Sequence, residues 1–431
     1  MKYIVMCLIT YLIILRPVWS NETREISLDE VLHLAEINSP RLTASEFQEI
    51  AAEKGVEIAR SKYFPTLKLD SIYDNGLPGS SGSALDIQGM MASPYRSGPS
   101  VGVVAKQLVY DFGRTDHAVK ASQYQAEASK QDTKITIYEV KTLALKKYYE
   151  CALFRTQRDL WGYLGDESNT ITKEVHHFVD TGQRSVVERY LSKIQTEEAY
   201  GFQAYYAERL KQSVNELAIM MGVASRHFSC PSLSKLSTGS LNANIGTGLE
   251  ANPFLRRAIL EASVASEKLK QEKSELFPEI SLAASTGYLS KTRFVKKQNY
   301  AIGIGMTIPI FDLNISGKIK RAEAVIAEKH ARIEAERQTL AEWNARYDEI
   351  IKSTAVLLKK MDNELQVGHK GFEIAKKRYF SLEGDLVDLR EAFRNLSRIR
   401  SAMEEMRAQF LQASGAKALL NGTGETLNEC Q

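Results

Sequence analysis

The stretch Tyr300-Ala301-Ile302-Gly303-Ile304-Gly305-Met306-Thr307-Ile308-Pro309-Ile310-Phe311 decides the fold. Ile302, Ile304, Met306, Ile308 and Ile310 recur at every second position, with Ala301, Gly303, Gly305 and Thr307 between them. A period of two is that of a strand with two different faces. Here one face is large and apolar, the other small and mildly polar. Soluble strands usually run about 5–6 residues. A strand that crosses a membrane needs about 9–11, with apolar side chains toward lipid and smaller or polar ones toward the lumen. The stretch therefore predicts a membrane strand over 299–311, with Ile302, Ile304, Met306 and Ile308 facing lipid and aromatic residues at both ends.

The same pattern occurs elsewhere because the chain is duplicated, a feature to seek first in any long sequence. Asn38-Ser39-Pro40-Arg41-Leu42 is answered by Ala251-Asn252-Pro253-Phe254-Leu255, and Phe64-Pro65 by Phe277-Pro278. Each Phe-Pro ends a helical pattern, since proline cannot continue the hydrogen-bond ladder and pushes its predecessor into extended geometry. Alternating segments follow at 66–73 and 101–110 in the first half, and at 279–288 and 299–311 in the second. Both second segments close on an aromatic-Asp pair, Tyr110-Asp111 and Phe311-Asp312. Phe64, Tyr110, Phe277 and Phe311 thus lie at the same end of four strands, as an interfacial girdle would. The connections at the opposite end are Gly- and Ser-rich (74–100) or basic (289–299, with Lys291, Arg293, Lys296 and Lys297).

Each strand pair feeds a long helical stretch, from Arg114 to about Val179 and from Gly317 to Phe380. In the second, Ile319, Ile326, Ile333, Leu340 and Tyr347 recur at steps of seven, a coiled-coil seam. At ~1.5 Å per residue either helix is on the order of 100 Å long. Turns near Asp180-Thr181-Gly182 and Glu383-Gly384 lead into returning helices that end near Gly222 and Gly422. Compact enzyme domains do not have that shape.

Backbone groups left unpaired in lipid are costly, so a spanning sheet must close on itself. Four strands cannot, because the smallest membrane barrels have about eight. The strands must belong to a shared barrel, eight-stranded from two copies or twelve-stranded from three. The small lumen-side residues Gly303, Gly305 and Ala283 favour the wider barrel, which leaves a channel.

Lys2, the apolar run Tyr3–Leu15, and Val18 and Ser20 before a cleavage point read as a secretory signal peptide over residues 1–20. No later apolar run approaches the ~18 residues of a membrane helix. Cys7 lies inside the signal, too early for lipidation, so export permits one disulfide and one free thiol among Cys151, Cys230 and Cys430. Cys230 and Cys430 each lie eight residues beyond a helix-ending glycine, and make the candidate pair. The formal net charge of +3 selects no nucleic-acid partner. The adjacent His176-His177 would point about 100° apart on a helix and are unsuited to sharing a metal. No catalytic or phosphate-binding motif stands in a supporting context, and no cofactor is expected. Asn314-Ile315-Ser316 and Asn421-Gly422-Thr423 are glycosylation sequons, relevant only to a eukaryotic secretory chain.

A duplicated unit of helix, two strands and long helical hairpin behind a signal peptide resembles the TolC family of outer-membrane channel proteins. The resemblance spans the whole mature chain. It is carried by the paired Phe-Pro strand starts, the strand ends Tyr110-Asp111-Phe112-Gly113-Arg114 and Pro309-Ile310-Phe311-Asp312, and the hairpin tip Tyr379 to Ala392. It implies a homotrimer with a twelve-stranded β-barrel in the outer membrane and an α-helical barrel in the periplasm. It also implies a closed tip that docks onto an adaptor protein and an inner-membrane transporter, either ABC-type or proton-driven.

Carried over residue by residue, the acidic ring matches Asp388 and Glu391, the gate tyrosine Tyr379, and an acidic position of the first hairpin Glu188. The family's cross-tip basic residue falls on Gly384, which leaves Arg184 or Arg390 to latch the tip. The expected boundaries place N-terminal and equatorial helices at 21–63, strand pairs at 64–112 and 277–312, and hairpins at 113–222 and 313–422. An equatorial linker at 223–250, a repeat helix at 251–276 and a tail at 423–431 complete the chain. The function expected is an exit duct, with type I secretion favoured over drug efflux by the absent lipid-anchor cysteine and the Tyr-Asp-Phe-Gly strand end. The alternative is a trimeric stalk tethered by strands, without a pore.

Overall fold

A computed structural model describes residues 24–75, 97–225, 228–236, 251–289 and 298–422. The signal peptide, most of both connections at the far end of the strands, residues 237–250 and the C-terminal tail lie outside the described residues. The order of elements is β1 (Arg24–Glu25), α1 (Leu28–Ile37), α2 (Pro40–Arg60), β2 (Thr66–Asn75), β3 (Ser97–Tyr110), α3 (Arg114–Asp180), α4 (Val186–Met221), β4 (Phe228–Ser229), α5 (Pro253–Ser274), β5 (Glu279–Leu289), β6 (Gln298–Thr307), α6 (Leu313–Phe380) and α7 (Leu386–Leu420). No described helix is long and apolar enough to cross a membrane. The chain divides into two compact units, one from Pro40–Ile137 and Gly246–Trp343, the other from Met1–Ser39, Tyr138–Ile245 and Asn344–Gln431.

The first unit carries a four-stranded antiparallel sheet in the order β2-β3-β5-β6. Its strands agree with the expected segments to within two residues at each end, with two larger differences. β3 begins at Ser97 rather than 101, and β6 ends at Thr307 rather than 311. The second difference has a physical cause. Pro309 lacks the N–H that a ladder needs, so pairing stops at Glu279↔Thr307. Ile308 and Phe311 therefore lie beyond the strand on which they were expected. Helix starts follow directly from local sequence. Pro253 opens α5 with Asn252 as its cap, and the aspartates of the two aromatic-Asp pairs cap the long helices. Asp111 Oδ2 accepts from the Thr115 amide at 2.8 Å, and Asp312 Oδ1 from the Asn314 amide at 2.8 Å. Arg114 then pairs with Glu275 (3.4 Å) and Glu279 (3.3 Å), and Lys318 with Glu275 (2.8 Å), around the strand–helix junction.

The second unit holds a core built on α1, the middle of α3, the end of α4 and the last turns of α7, including Val31, Leu145, Tyr148, Leu217, Met221 and Leu411. α1 starts where Ser27 accepts from the Glu30 amide, with Asp29 and Glu30 in its positively polarised first turn. Asn38 then donates to the Met221 carbonyl at 2.8 Å, tying α1 to the end of α4. At that end Gly222 takes the left-handed conformation (φ 66°), and a Cβ there would come within 3.1 Å of Asn38. β1 pairs in parallel with β4, and Glu25 bonds Lys235 at 2.9 Å.

Beside this clasp the cysteines pair otherwise than expected. The disulfide joins Cys151 to Cys230, with Cα atoms 6.0 Å apart, and not Cys230 to Cys430. Matching places in a duplication are equivalent, not adjacent, and bridging requires adjacency. The heptad seam is present on α6, where Leu340 is buried and Ile319, Ile326, Ile333 and Tyr347 are half-buried.

Candidate functional site

Two regions carry the residues expected to act, and each lies within one unit. In the sheet, register turns the alternation of single strands into continuous rows. Leu67, Ala105, Ala284 and Ile302 stand opposite one another across all four strands, as do Leu69, Val103, Thr286 and Tyr300. Residues directly opposite share a face. Gln107, Leu282 and Ile304 form a third row of that face, and Ile280 with Met306 continues it. Ile302 and Ile304 are 80% and 77% exposed, an apolar surface with nothing against it. The opposite face carries Lys68, Lys106, Ala283, Ser281, Gly303 and Gly305. There Val104 (7%) and Ser285 (9%) are buried even within one sheet, as on the inner side of a curved one.

At the end of the sheet expected to hold a girdle, Phe64, Tyr110, Phe277 and Phe311 are all exposed. Phe112 joins two of them, 4.7 Å from Tyr110 edge-on and 5.4 Å from Phe277 in a stack. It adopts a left-handed backbone (φ 54°) to do so, which the sequence did not announce.

The second region is the pair of hairpin turns. The Phe178 carbonyl accepts from the amides of Gln183 (2.8 Å) and Arg184 (3.2 Å); the Arg378 carbonyl accepts from those of Glu383 (3.0 Å) and Gly384 (3.1 Å). The two turns are one backbone motif, two hundred residues apart. It requires a left-handed residue, supplied by Gly182 (φ 74°) in the first turn and by Leu382 (φ 62°) in the second. For a residue with a Cβ this conformation costs roughly 1–2 kcal/mol. Ser185 caps α4 through the Val187 amide, and Asp385 caps α7 through the Asp388 amide at 2.8 Å.

Four of the tip residues singled out in the sequence meet here. Tyr379 is fully buried, and its hydroxyl donates to Glu188 Oε2 at 2.6 Å. The Arg184 guanidinium lies 4.6 Å from the centre of the Tyr379 ring and donates to the carbonyls of Gly384 (2.6 Å) and Tyr379 (3.2 Å). The cross-tip contact at Gly384 is thus made by its backbone, with a guanidinium from the other hairpin. Burial first, then the hydrogen bond to Glu188, push the Tyr379 hydroxyl well above its usual pKa, so it stays a donor at any physiological pH. Phe178, Val175, Phe372, Leu386, Leu389 and Phe393 pack around this contact. Lys376 pairs with Glu167 at 3.6 Å, and Arg189 pairs with Asp180.

Asp388 and Glu391 stand apart from that cluster, both exposed on the first turns of α7. Three residues apart, they share a helix face. Glu391 accepts from Asn395 at 3.0 Å. Arg390 makes none of the latch contacts expected of it and lines a cavity between helices. Leu382 and Cys151 were missed in the sequence. Aligning the halves at Gly182 would have exposed the first, whereas nothing in the spacing marks Cys151.

The sequence matches the profile of the outer membrane efflux protein family over residues 31–223 and 244–422. No curated protein matches the chain in sequence. Among solved structures, the fold is similar to the outer membrane protein VceC of Vibrio cholerae (TM-score 0.79, 16% identity, covering 92% of this chain and 96% of that one). It is also similar to the CmeC outer membrane channel of Campylobacter jejuni (0.79, 15%, covering 95% and 91%). A third likeness is to the MtrE outer membrane channel of Neisseria gonorrhoeae in its open state (0.73, 16%, covering 92% and 89%). At these identities the likeness is one of fold.

Proposed function

Because the chain belongs to the outer membrane efflux protein family, we propose that three copies of it form a conducting duct, each giving four strands to a twelve-stranded barrel. It is an outer-membrane channel protein and not an enzyme, and channels of the family work with an adaptor and an inner-membrane transporter. The observation that carries the shared barrel is the sheet. One face carries the exposed Leu67, Leu69, Leu282, Ile302, Ile304 and Met306, and β2 and β6 have no further strand beside them among the described residues. In lipid such edges cannot stay unpaired. Sedimentation of detergent-solubilised protein tests this: a trimer is expected, and a monomer contradicts it.

The tip acts as the closure. Arg184 and Tyr379 hold the two hairpins of one chain together, while Asp388 and Glu391 from three copies place six carboxylates around the axis. A ring of like charge concentrates cations and sets selectivity. The six carboxylates also repel one another, so closure depends on other contacts, which the Arg184–Tyr379–Glu188 cluster supplies. For cargo, the Tyr110-Asp111-Phe112-Gly113 strand end and the absent lipid-anchor cysteine favour a type I secretion partner over a drug-efflux partner. Deleting the gene should then deplete the secreted proteome and leave drug susceptibility unchanged; the reverse outcome assigns the duct to efflux.

A further inference from the structure

A cavity of about 420 Å³ lies among α3, α4 and α7, sharing Phe393 with the packing around the latch. It falls toward the lower end of the roughly 300–1,000 Å³ typical of small-molecule sites. One wall is aromatic: the rings of Trp161 and Phe202 are 4.5 Å apart, and Tyr206 and Phe393 extend the surface. The other is basic. Arg390, Arg394 and Arg398 recur at steps of four along α7, which puts them on one face of the helix. None of the three forms an ion pair among the described residues. The lining also includes the carboxylates of Glu198 and Glu405, so cations exceed acids by one.

Two further groups favour an acceptor. Arg390 Nε and Trp161 Nε1 are both buried, and neither has a hydrogen-bond partner among the described residues. A buried N–H without an acceptor carries the full penalty of its lost water, which an oxygen placed in the cavity would remove. Guanidinium forks favour a carboxylate or sulfonate, because both present paired oxygens at matching spacing. The aromatic wall suits a flat ring beside that head group.

We propose that this cavity binds a small aromatic anion, its acidic group on Arg390 and Arg394 and its ring against Trp161 and Phe393. The site is built within one chain and does not depend on the duct reading.

The test uses naphthalene-2-sulfonate as probe, on full-length mature protein in detergent, with protein-free detergent as blank. In a Trp343→Phe background Trp161 is the only tryptophan beyond residue 19, so its fluorescence reports the site directly. Saturable binding of one probe per chain is expected by calorimetry, with quenching of Trp161. The sulfonate should bind at least tenfold more tightly than the neutral naphthalene-2-sulfonamide. Replacing Arg390 and Arg394 together by Gln should lose at least tenfold in affinity. Arg407→Gln, which removes an arginine paired with Glu404, should change nothing. If the double variant does not fold by circular dichroism, Trp161→Leu on the opposite wall replaces it, with the same tenfold loss expected. Absence of saturable binding, equal affinity for sulfonate and sulfonamide, or full affinity in a folded variant overturns the proposal.

Discussion

The sheet and the hairpin tips solve opposite problems. The sheet leaves apolar side chains exposed and, among the described residues, its outer strands without neighbours, and the proposed barrel completes it with strands from other copies. The tips complete themselves: Tyr379 is fully buried, its hydroxyl is satisfied by Glu188, and Arg184 spans the two turns. The sheet teaches that exposure can be a specification, since the proposed barrel gives the exposed surface of Ile302, Ile304 and Met306 lipid to face. The tip teaches the converse. On the proposed reading, a closure made within one chain opens without taking apart the assembly proposed for the sheet.

The sharpest test loosens the unit that carries the tips, at the clasp far along the hairpin from them. Cys151 and Cys230 close a loop across a sequence separation of 79 residues, which includes the whole first turn. Replacing both by Ala should cost ~2–5 kcal/mol, through the greater freedom of the unfolded chain. A lower thermal midpoint by circular dichroism is the expected sign, and an unchanged midpoint would mean that the noncovalent clasp suffices.

The next test bears on the outward-facing end. Ile304→Arg puts a charge on the apolar rows, at a cost of ~2–4 kcal/mol near the bilayer midplane. Gly303→Arg should be far milder, because a Cβ there meets nothing within 4 Å on the opposite face. Outer-membrane fractionation checks the ranking, and the reverse order would exchange the two faces.

Smaller effects belong to the latch. Tyr379→Phe removes one hydrogen bond to a half-buried carboxylate, worth about 1 kcal/mol after allowance for solvent. It should leave folding intact and raise the frequency of opening in single-channel records. Least of all, Leu382→Gly should stabilise the second turn by a few tenths to about 1 kcal/mol, as the relieved left-handed strain outweighs glycine's added freedom. Thermal unfolding would show it, and a loss of stability would mean that the Leu382 side chain holds the turn in place.

Most of the fold was legible because its signals are periodic. Alternation located all four strands, the Phe-Pro pairs marked the starts of β2 and β5, Tyr110-Asp111 marked the end of β3, and the seven-residue seam marked the long helix. What escaped depends on tertiary geometry. The end of β6 was misplaced by four residues because the apolar alternation runs on through Ile308 and Ile310, while Pro309 breaks the ladder. Cys151 sits on a helix face that no local pattern connects to Cys230, and the repeat directed attention to Cys430 instead. At the tip, residue types pointed to Tyr379, Glu188 and Arg184. Only the turn geometry shows that the partner of Arg184 is a carbonyl.

Single-channel conductance in planar bilayers tests the central claim most directly, comparing the native chain with a Tyr379→Phe, Arg184→Ser double variant. A low, cation-selective conductance is predicted for the native chain, with a markedly larger one for the variant. Loss of cation selectivity is predicted when Asp388 and Glu391 are both replaced by Ala. A native chain and latch variant that both fail to conduct, although inserted as trimers, would contradict the duct and leave a membrane-anchored stalk.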